Sequence, residues 1–321
     1  MKTTRIAGAI GALCLAGVLM PGLAMAQYPN REITMIVPFG AGGSTDIIGR
    51  IAAQALSKRL GVPVVVDNRG GAGGTVGTQA AAGAKPDGYT ITVATTSTHV
   101  VGPLTVKTKY DPVKDFTHIG MIAETPYVMV INPQLKATNV QEVIDLARKD
   151  PGKLNYGSAG QGSTTHLAGL MFLNATKTDM EHIPYDSNAK ATAALMGNEV
   201  QVLFGSMPAV LAQIQANSIK ALAVGTTTRS PKLKDTPTLQ EAGVKDYRAS
   251  LWLGLSAPAG TPPEVVKKLA DALGESIADP AVGELLEKNG ADPTKMSPQE
   301  FSALIASEID VYGAIVKGMK K

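Results

Sequence analysis

The chain is nearly devoid of cysteine. Its only one, Cys14, falls in an N-terminal stretch with the marks of a cleaved export signal. A mature protein without cysteine has no disulfides, no thiolate catalysis and no Cys-ligated metal. Aromatic residues are scarce at 4%, with Trp252 the single tryptophan, which argues against base-stacking platforms and carbohydrate troughs. Charge is nearly balanced. The net value is +3, and two of the positive residues, Lys2 and Arg5, belong to the export stretch. With no long basic run left, nucleic acid is excluded as an expected partner.

Catalytic signatures are missing too. The dinucleotide fingerprint fails at Thr45 when read from Gly40, and at Val76 when read from Gly71. The one Gly-Lys step, Gly152-Lys153, has Ala147 where a phosphate loop needs glycine, and no serine occupies a Gly-x-Ser-x-Gly elbow. The four histidines, His99, His118, His166 and His182, show no ligand spacing. No metal, no cofactor and no catalytic residue are therefore expected. Ser187-Asn188-Ala189-Lys190 does match the Ser-x-x-Lys of penicillin-recognising enzymes, but the companion Lys-Thr-Gly is absent.

What is present begins with the export signal. Lys2 and Arg5 precede an apolar run ending at Met20, Pro21-Gly22 breaks it, and Ala24-Met25-Ala26 offers cleavage before Gln27. A membrane anchor is the alternative, but the run stops short of the ~20 residues that span a bilayer. Leu13 stands where a lipidated cysteine would need a small residue before it. A periplasmic location is expected.

With 321 residues, 44% of them hydrophobic and 18% charged, the mature chain should form one large or two medium globular domains. From Ile33 strand and helix signals alternate. Strands are expected at residues 33–37, 62–66 and 89–94, with helices at 47–60 and 75–84. Such units call for a parallel sheet with its loops gathered at the strands' carboxyl ends. Around Pro126 an apolar run suggests two strands and a crossover, after which the pattern repeats. Helices are expected at 139–149 and 165–173 and through Met196, with strands at 154–156, 200–204 and 219–224. A strand at 251–255 is the expected return crossover, leading to helices at 263–278, 281–289 and 297–319. The fold class expected is α/β, a two-lobed clamshell with two interdomain crossovers. One lobe would comprise residues 27–124 plus 250–321 and the other 125–249.

Two loops carry the functional reading. Phe39-Gly40-Ala41-Gly42-Gly43-Ser44-Thr45-Asp46 and Ser158-Ala159-Gly160-Gln161-Gly162-Ser163-Thr164-Thr165-His166 each follow a strand and open a helix. Free backbone N–H groups beside small hydroxyls at a helix start make an anion site, and neither loop contains Lys or Arg. For the first loop a plain turn capped by Ser44 or Thr45 is the alternative. Against it stand the clearance at Gly42-Gly43, the apolar wall of Phe39, the neighbouring Thr95, Thr96 and Ser97, and the recurrence of the loop. Asp46 is expected to brace the loop from the helix's first turn. Arg69 could meet a ligand carboxylate or lie solvated. His166 is expected to cap or pack, Trp252 to pack, and Tyr185 and Ser206 to reach the cleft from strand ends.

Tyr28-Pro29, Ile36-Val37-Pro38-Phe39 with Gly42-Gly43 and Asp46, Asn68-Arg69-Gly70-Gly71-Ala72-Gly73-Gly74, Asp87-Gly88-Tyr89, Tyr156-Gly157-Ser158 and Ala257-Pro258-Ala259-Gly260-Thr261-Pro262 together resemble the Bug family. These are periplasmic solute-binding receptors of tripartite tricarboxylate transporters. The resemblance spans the mature chain. It implies a Venus-flytrap fold like that of type II periplasmic binding proteins, and a small carboxylate or dicarboxylate ligand. It also implies contacts from Phe39, Ala41, Gly42, Gly43, Ser44 and Thr45 and from Ser158, Gly160, Ser163 and Thr164. Membrane permease subunits would be the partner and a monomer the expected state. A ligand-dependent partner of a membrane sensor kinase and an exported hydrolase on the same lobes are the other classes left open.

Overall fold

In the computed structural model, which describes residues 28–318, the β-branched run at Ile33–Val37 forms strand β1 and buries all but one of its side chains. The expected export signal lies outside the described residues. Helix α1 (Ser44–Leu60) follows the first glycine loop and ends at Gly61, whose φ of 71° gives the left-handed cap that a β-carbon would resist. Next come β2 (Val64–Asn68), α2 (Thr75–Ala82), β3 (Thr90–Thr95), α3 (Gly102–Thr105) and the long β4 (Phe116–Ile131). The middle of the chain holds α4 (Val140–Lys149), β5 (Asn155–Ser158), α5 (Thr164–Thr176), β6 (Glu181–Pro184) and α6 (Asn188–Met196). It continues with β7 (Val202–Ser206), α7 (Met207–Gln215) and β8 (Lys220–Val224). The chain then returns through β9 (Ser250–Pro258), α8 (Pro263–Ile277), α9 (Pro280–Lys288), β10 (Asp292–Met296) and α10 (Pro298–Gly318).

The strands join in the order β2-β1-β3-β9-β4-β7-β5-β6, with β8 and β10 also pairing with β4. Strands β2, β1 and β3 are parallel, and β9 runs antiparallel to β3. Strand β4 serves both lobes. Its residues up to Pro126 pair with β9, and from Tyr127 onwards it pairs with β7 and β8 instead. The sequence suggested two strands around Pro126; the structure has one. Proline lacks the N–H of a ladder, so it is tolerated where pairing changes partner, and Pro126 sits at that changeover.

Other boundaries moved for equally local reasons. Strand β2 lies two residues later than its apolar run because its register with β1 extends to Asp67 and Asn68. Polar β10 and the short α7 gave no periodic signal. Proline at the start of α7 suits a helix beginning, where the missing N–H has no partner to lose. One buried cluster runs through both halves, from Met35 and Val93 by way of Leu253 to Tyr127, Phe172 and Phe204. The result is that helices α1, α5, α6 and α7 all begin directly behind the carboxyl ends of β1, β5, β6 and β7. Those helix starts are the raw material of the site.

Candidate functional site

Helix α1 begins without a side-chain cap, because its N-cap residue is Gly43. The amides of Ser44, Thr45 and Asp46 have no carbonyl one turn earlier to bond, and no described residue accepts from them. Asp46 holds the loop from behind. Its Oδ2 accepts from the Gly42 amide at 2.9 Å, its Oδ1 accepts from Asn68 Nδ2 at 2.9 Å, and Arg50 Nε lies at 2.9 Å. Burial alone would raise its pKa, but Arg50, the Gly42 amide and Asn68 hold it below the ordinary carboxylate value. Asp46 is thus a fixed anion turned to the loop's own amide.

The second loop is capped. Ser163 Oγ accepts from His166 N at 3.2 Å, and Thr165 Oγ1 accepts from Ala159 N at 2.9 Å. The Thr164 amide donates to Ser97 Oγ of the other lobe at 3.0 Å. Thr164 Oγ1 shares hydrogen bonds with Ser97 Oγ, at 2.7 Å, and with the Tyr127 hydroxyl. Two further contacts draw the lobes together, and a third supports them. Ser44 Oγ meets Ser206 Oγ at 2.6 Å, Gly40 N donates to Asp186 O at 3.3 Å, and Asn188 Nδ2 donates to Ser206 Oγ at 2.8 Å from within the second lobe.

Between these contacts lies a cavity of about 20 Å³, room for roughly one water. Phe39, Gly43, Ser44, Thr45 and Ser97 wall it on one side. Thr164, Thr165, Ala159 and Asn188 face them, with Tyr127 and Leu251 from the crossing strands. No wall residue is ionisable apart from the Tyr127 phenol, whose pKa burial drives far upward. The lobes are closed on each other.

Several residues expected at the cleft stand elsewhere. Ser206 sits one hydrogen bond behind Ser44. Ala41 and Gly42 are exposed on the loop's outer rim. Thr95 Oγ1 bonds Thr98, and Thr96 Oγ1 accepts from Trp252 N, because the turn after β3 directs only Ser97 across the gap. Tyr185 OH donates to Glu199 at 3.4 Å on the surface. Arg69 is half-exposed and paired with Asp67 at 2.8 Å. Trp252, expected to pack, is buried edge-on against Phe301. The Ser-x-x-Lys match is a helix cap: Ser187 Oγ accepts from Lys190 N, while Lys190 Nζ turns to Asp186 at 2.6 Å.

Ala159 and Thr165 join the wall from within the second loop, and three wall residues from outside both loops carried no prediction. Tyr127 and Leu251 come from the crossing strands and carry no local mark. Asn188 did carry one, since Ser187-Asn188 before an alanine-rich helix is a third helix start of the same kind.

Ser158 Oγ lies 2.6 Å from His182 Nε2, at nucleophile–base distance. Yet Ser158 is fully buried, also accepts from Gly160 N at 3.1 Å, and no described carboxylate bonds His182. The pair braces the loop. His182 in turn stacks on His166 at 4.0 Å, and His166 Nδ1 accepts from Gly162 N at 3.3 Å. Burial lowers both histidines from 6.5 to about 4, with the neighbouring His166 adding to the effect on His182.

His118 is likewise lowered to about 4 by burial, and His99 falls well below its ordinary value. A base with a depressed folded pKa takes its proton more readily in the unfolded chain. Its contribution to stability is therefore complete above about pH 6.5 and drains away as pH falls towards 4. Urea midpoints should be level above neutrality and decline steadily from pH 6.5 to pH 4. A midpoint unchanged across that interval would mean that the histidines are not held neutral.

The sequence matches the family model described as "Tripartite tricarboxylate transporter family receptor" over residues 48–320. It is 34% identical to Protein BugT of Bordetella pertussis over 320 residues, 99% of this chain and 98% of the other. Its fold is similar to that of periplasmic binding protein BugD, with a TM-score of 0.88 and 34% identity over 92% of this chain and 100% of that one. An R. palustris protein solved with adipate gives a TM-score of 0.88 and 34% identity over 90% and 97% of the two chains. The chain accordingly belongs to the Bug family of periplasmic receptors of tripartite tricarboxylate transporters.

Proposed function

We propose that this chain captures a small carboxylate or dicarboxylate in the periplasm, between lobes of residues 27–124 plus 250–321 and 125–249, and presents it to membrane permease subunits. The uncapped first turn of α1 carries this reading. Three free amides open a 17-residue helix, and its first two residues, Ser44 and Thr45, line a wall that holds no Lys, Arg, Asp or Glu. Fixed peptide dipoles receive a carboxylate without the desolvation a buried lysine would demand. The adipate bound to a similar protein fits that chemistry.

The present cavity is too small for a carboxylate, so entry requires the lobes to part. Parting breaks the Ser44–Ser206 and Ser97–Thr164 contacts. A ligand oxygen taking up these hydroxyls would restore the lost hydrogen bonds on closure. The closed surface would then differ from the open one, giving the permease something to distinguish. The test is a thermal-shift screen of mono- and dicarboxylates on mature protein freed of ligand by unfolding and refolding. A binder should raise the melting temperature with concentration, by about 2.7 kcal/mol of stabilisation at a hundred times Kd. A panel in which no carboxylate raises it would sink the reading.

A further inference from the structure

The cavity wall holds one group that a plain carboxylate leaves unserved. Asn188 is 6% exposed, and its Oδ1 is buried without a hydrogen-bond donor. Orphaned buried carbonyl oxygens are uncommon, because an unmet acceptor loses the bonds it had in water. The other half of the amide is committed: Nδ2 donates to Ser206 Oγ, which also shares a hydrogen bond with Ser44 Oγ.

Most polar groups around the cavity are donors or hydroxyls, suited to a carboxylate. Asn188 Oδ1 is an acceptor only. A carboxylate oxygen cannot satisfy it, and repels it.

We propose that Asn188 reads a hydroxyl group on the ligand, so that the site favours a hydroxycarboxylate over the same acid without the hydroxyl; this rests on the receptor reading above. The donor is a hydroxyl rather than an ammonium group for an electrostatic reason. Helices α1, α5 and α6 all turn their positive ends towards this cavity through Ser44, Thr164 and Asn188. The nearby carboxylates are already engaged, Asp46 by Arg50 and Asp186 by Lys190. A cation there would meet like charge and no counter-ion. A neutral hydroxyl needs one acceptor, and one is present.

The experiment is calorimetric titration of refolded, ligand-free mature protein with matched pairs: succinate and malate, glutarate and 2-hydroxyglutarate, adipate and 2-hydroxyadipate. In the pair of the right length the hydroxylated acid should bind at least about tenfold tighter, as expected when a buried acceptor is met in one complex and orphaned in the other. In Asn188→Ala, folded by its melting curve, that ratio should collapse to near one. Equal affinities within every pair in the wild-type protein would overturn the proposal and leave the carboxylate reading standing. An Asn188→Ala variant that keeps the ratio while weakening both acids would also overturn it, by showing that the amide is turned over and donates to the carboxylate. If none of the acids binds, the carboxylate reading falls as well.

Discussion

Ser44→Asp should abolish the rise in melting temperature that a bound carboxylate produces, weakening binding by at least a hundredfold. Ser44 is the first residue of α1, is 2% exposed, and stands on the cavity wall beside the uncapped amides. An aspartate there places a carboxylate of the protein's own at the helix's positive end, where the ligand's would sit. Like charge then opposes the ligand at a few ångströms in a poorly screened space. The unliganded variant should still show a cooperative melt, since the helix's positive end offsets part of the cost of burying the acid. Ser44→Ala separates charge from contact, because it removes only the hydroxyl and should weaken binding by about tenfold. A full thermal shift retained in Ser44→Asp would place the ligand outside this cavity. Ser158 offers no equivalent test. Its hydroxyl is buried behind the second loop with His182, so an acid there would strain the brace.

Gly73→Ala should hold the lobes apart. The glycine has φ of 65°, and a β-carbon on it would lie 2.5 Å from Gln161 O and 3.0 Å from Ser163 N. Both obstacles are backbone of the second loop and cannot rotate away. The approach is mutual, since a β-carbon on Gly160 would meet Gly73 N at 2.8 Å. Alanine at 73 therefore acts as a wedge at the seam, touching no ligand. Affinity should fall roughly 10- to 100-fold, as expected when the binding-competent closed form becomes a minor population. The compaction on ligand addition seen by small-angle scattering should disappear. Gly243→Ala is the control: its φ is 92°, but nothing lies within 4 Å of the new carbon. It carries the left-handed backbone penalty of roughly 1–2 kcal/mol alone and should leave affinity intact. Matching behaviour of the two variants would remove closure from the account.

Much of the fold could be read locally. The period of the apolar residues marked β1, α1, α4 and α8, and glycine followed by hydroxyls marked the starts of α1 and α5. Polar β10 could not be read this way, because it exists only through its pairing with β4. The same holds for the site. Ser44, Thr45 and Thr164 were legible because a helix start marked by glycine and hydroxyls is a property of the nearest few residues. Tyr127 and Leu251 were not, since β4 and β9 bring them in from distant sequence. Nor could sequence separate Thr95 and Thr96 from Ser97. A single turn after β3 decides which of the three hydroxyls crosses to Thr164.

Residue order alone determined that the chain would offer helix tips built of glycines and hydroxyls without Lys or Arg, and that they would differ. Gly43 cannot cap α1, whereas Ser163 caps α5 with its own hydroxyl. Tertiary packing decided that these tips meet, that Asn188 adds an unmet acceptor between them, and that Ser97 consumes the Thr164 amide. The division has a simple cause. An amide's freedom depends on its own turn of helix, but what stands opposite depends on where β4, the strand shared between lobes, places loops more than a hundred residues apart.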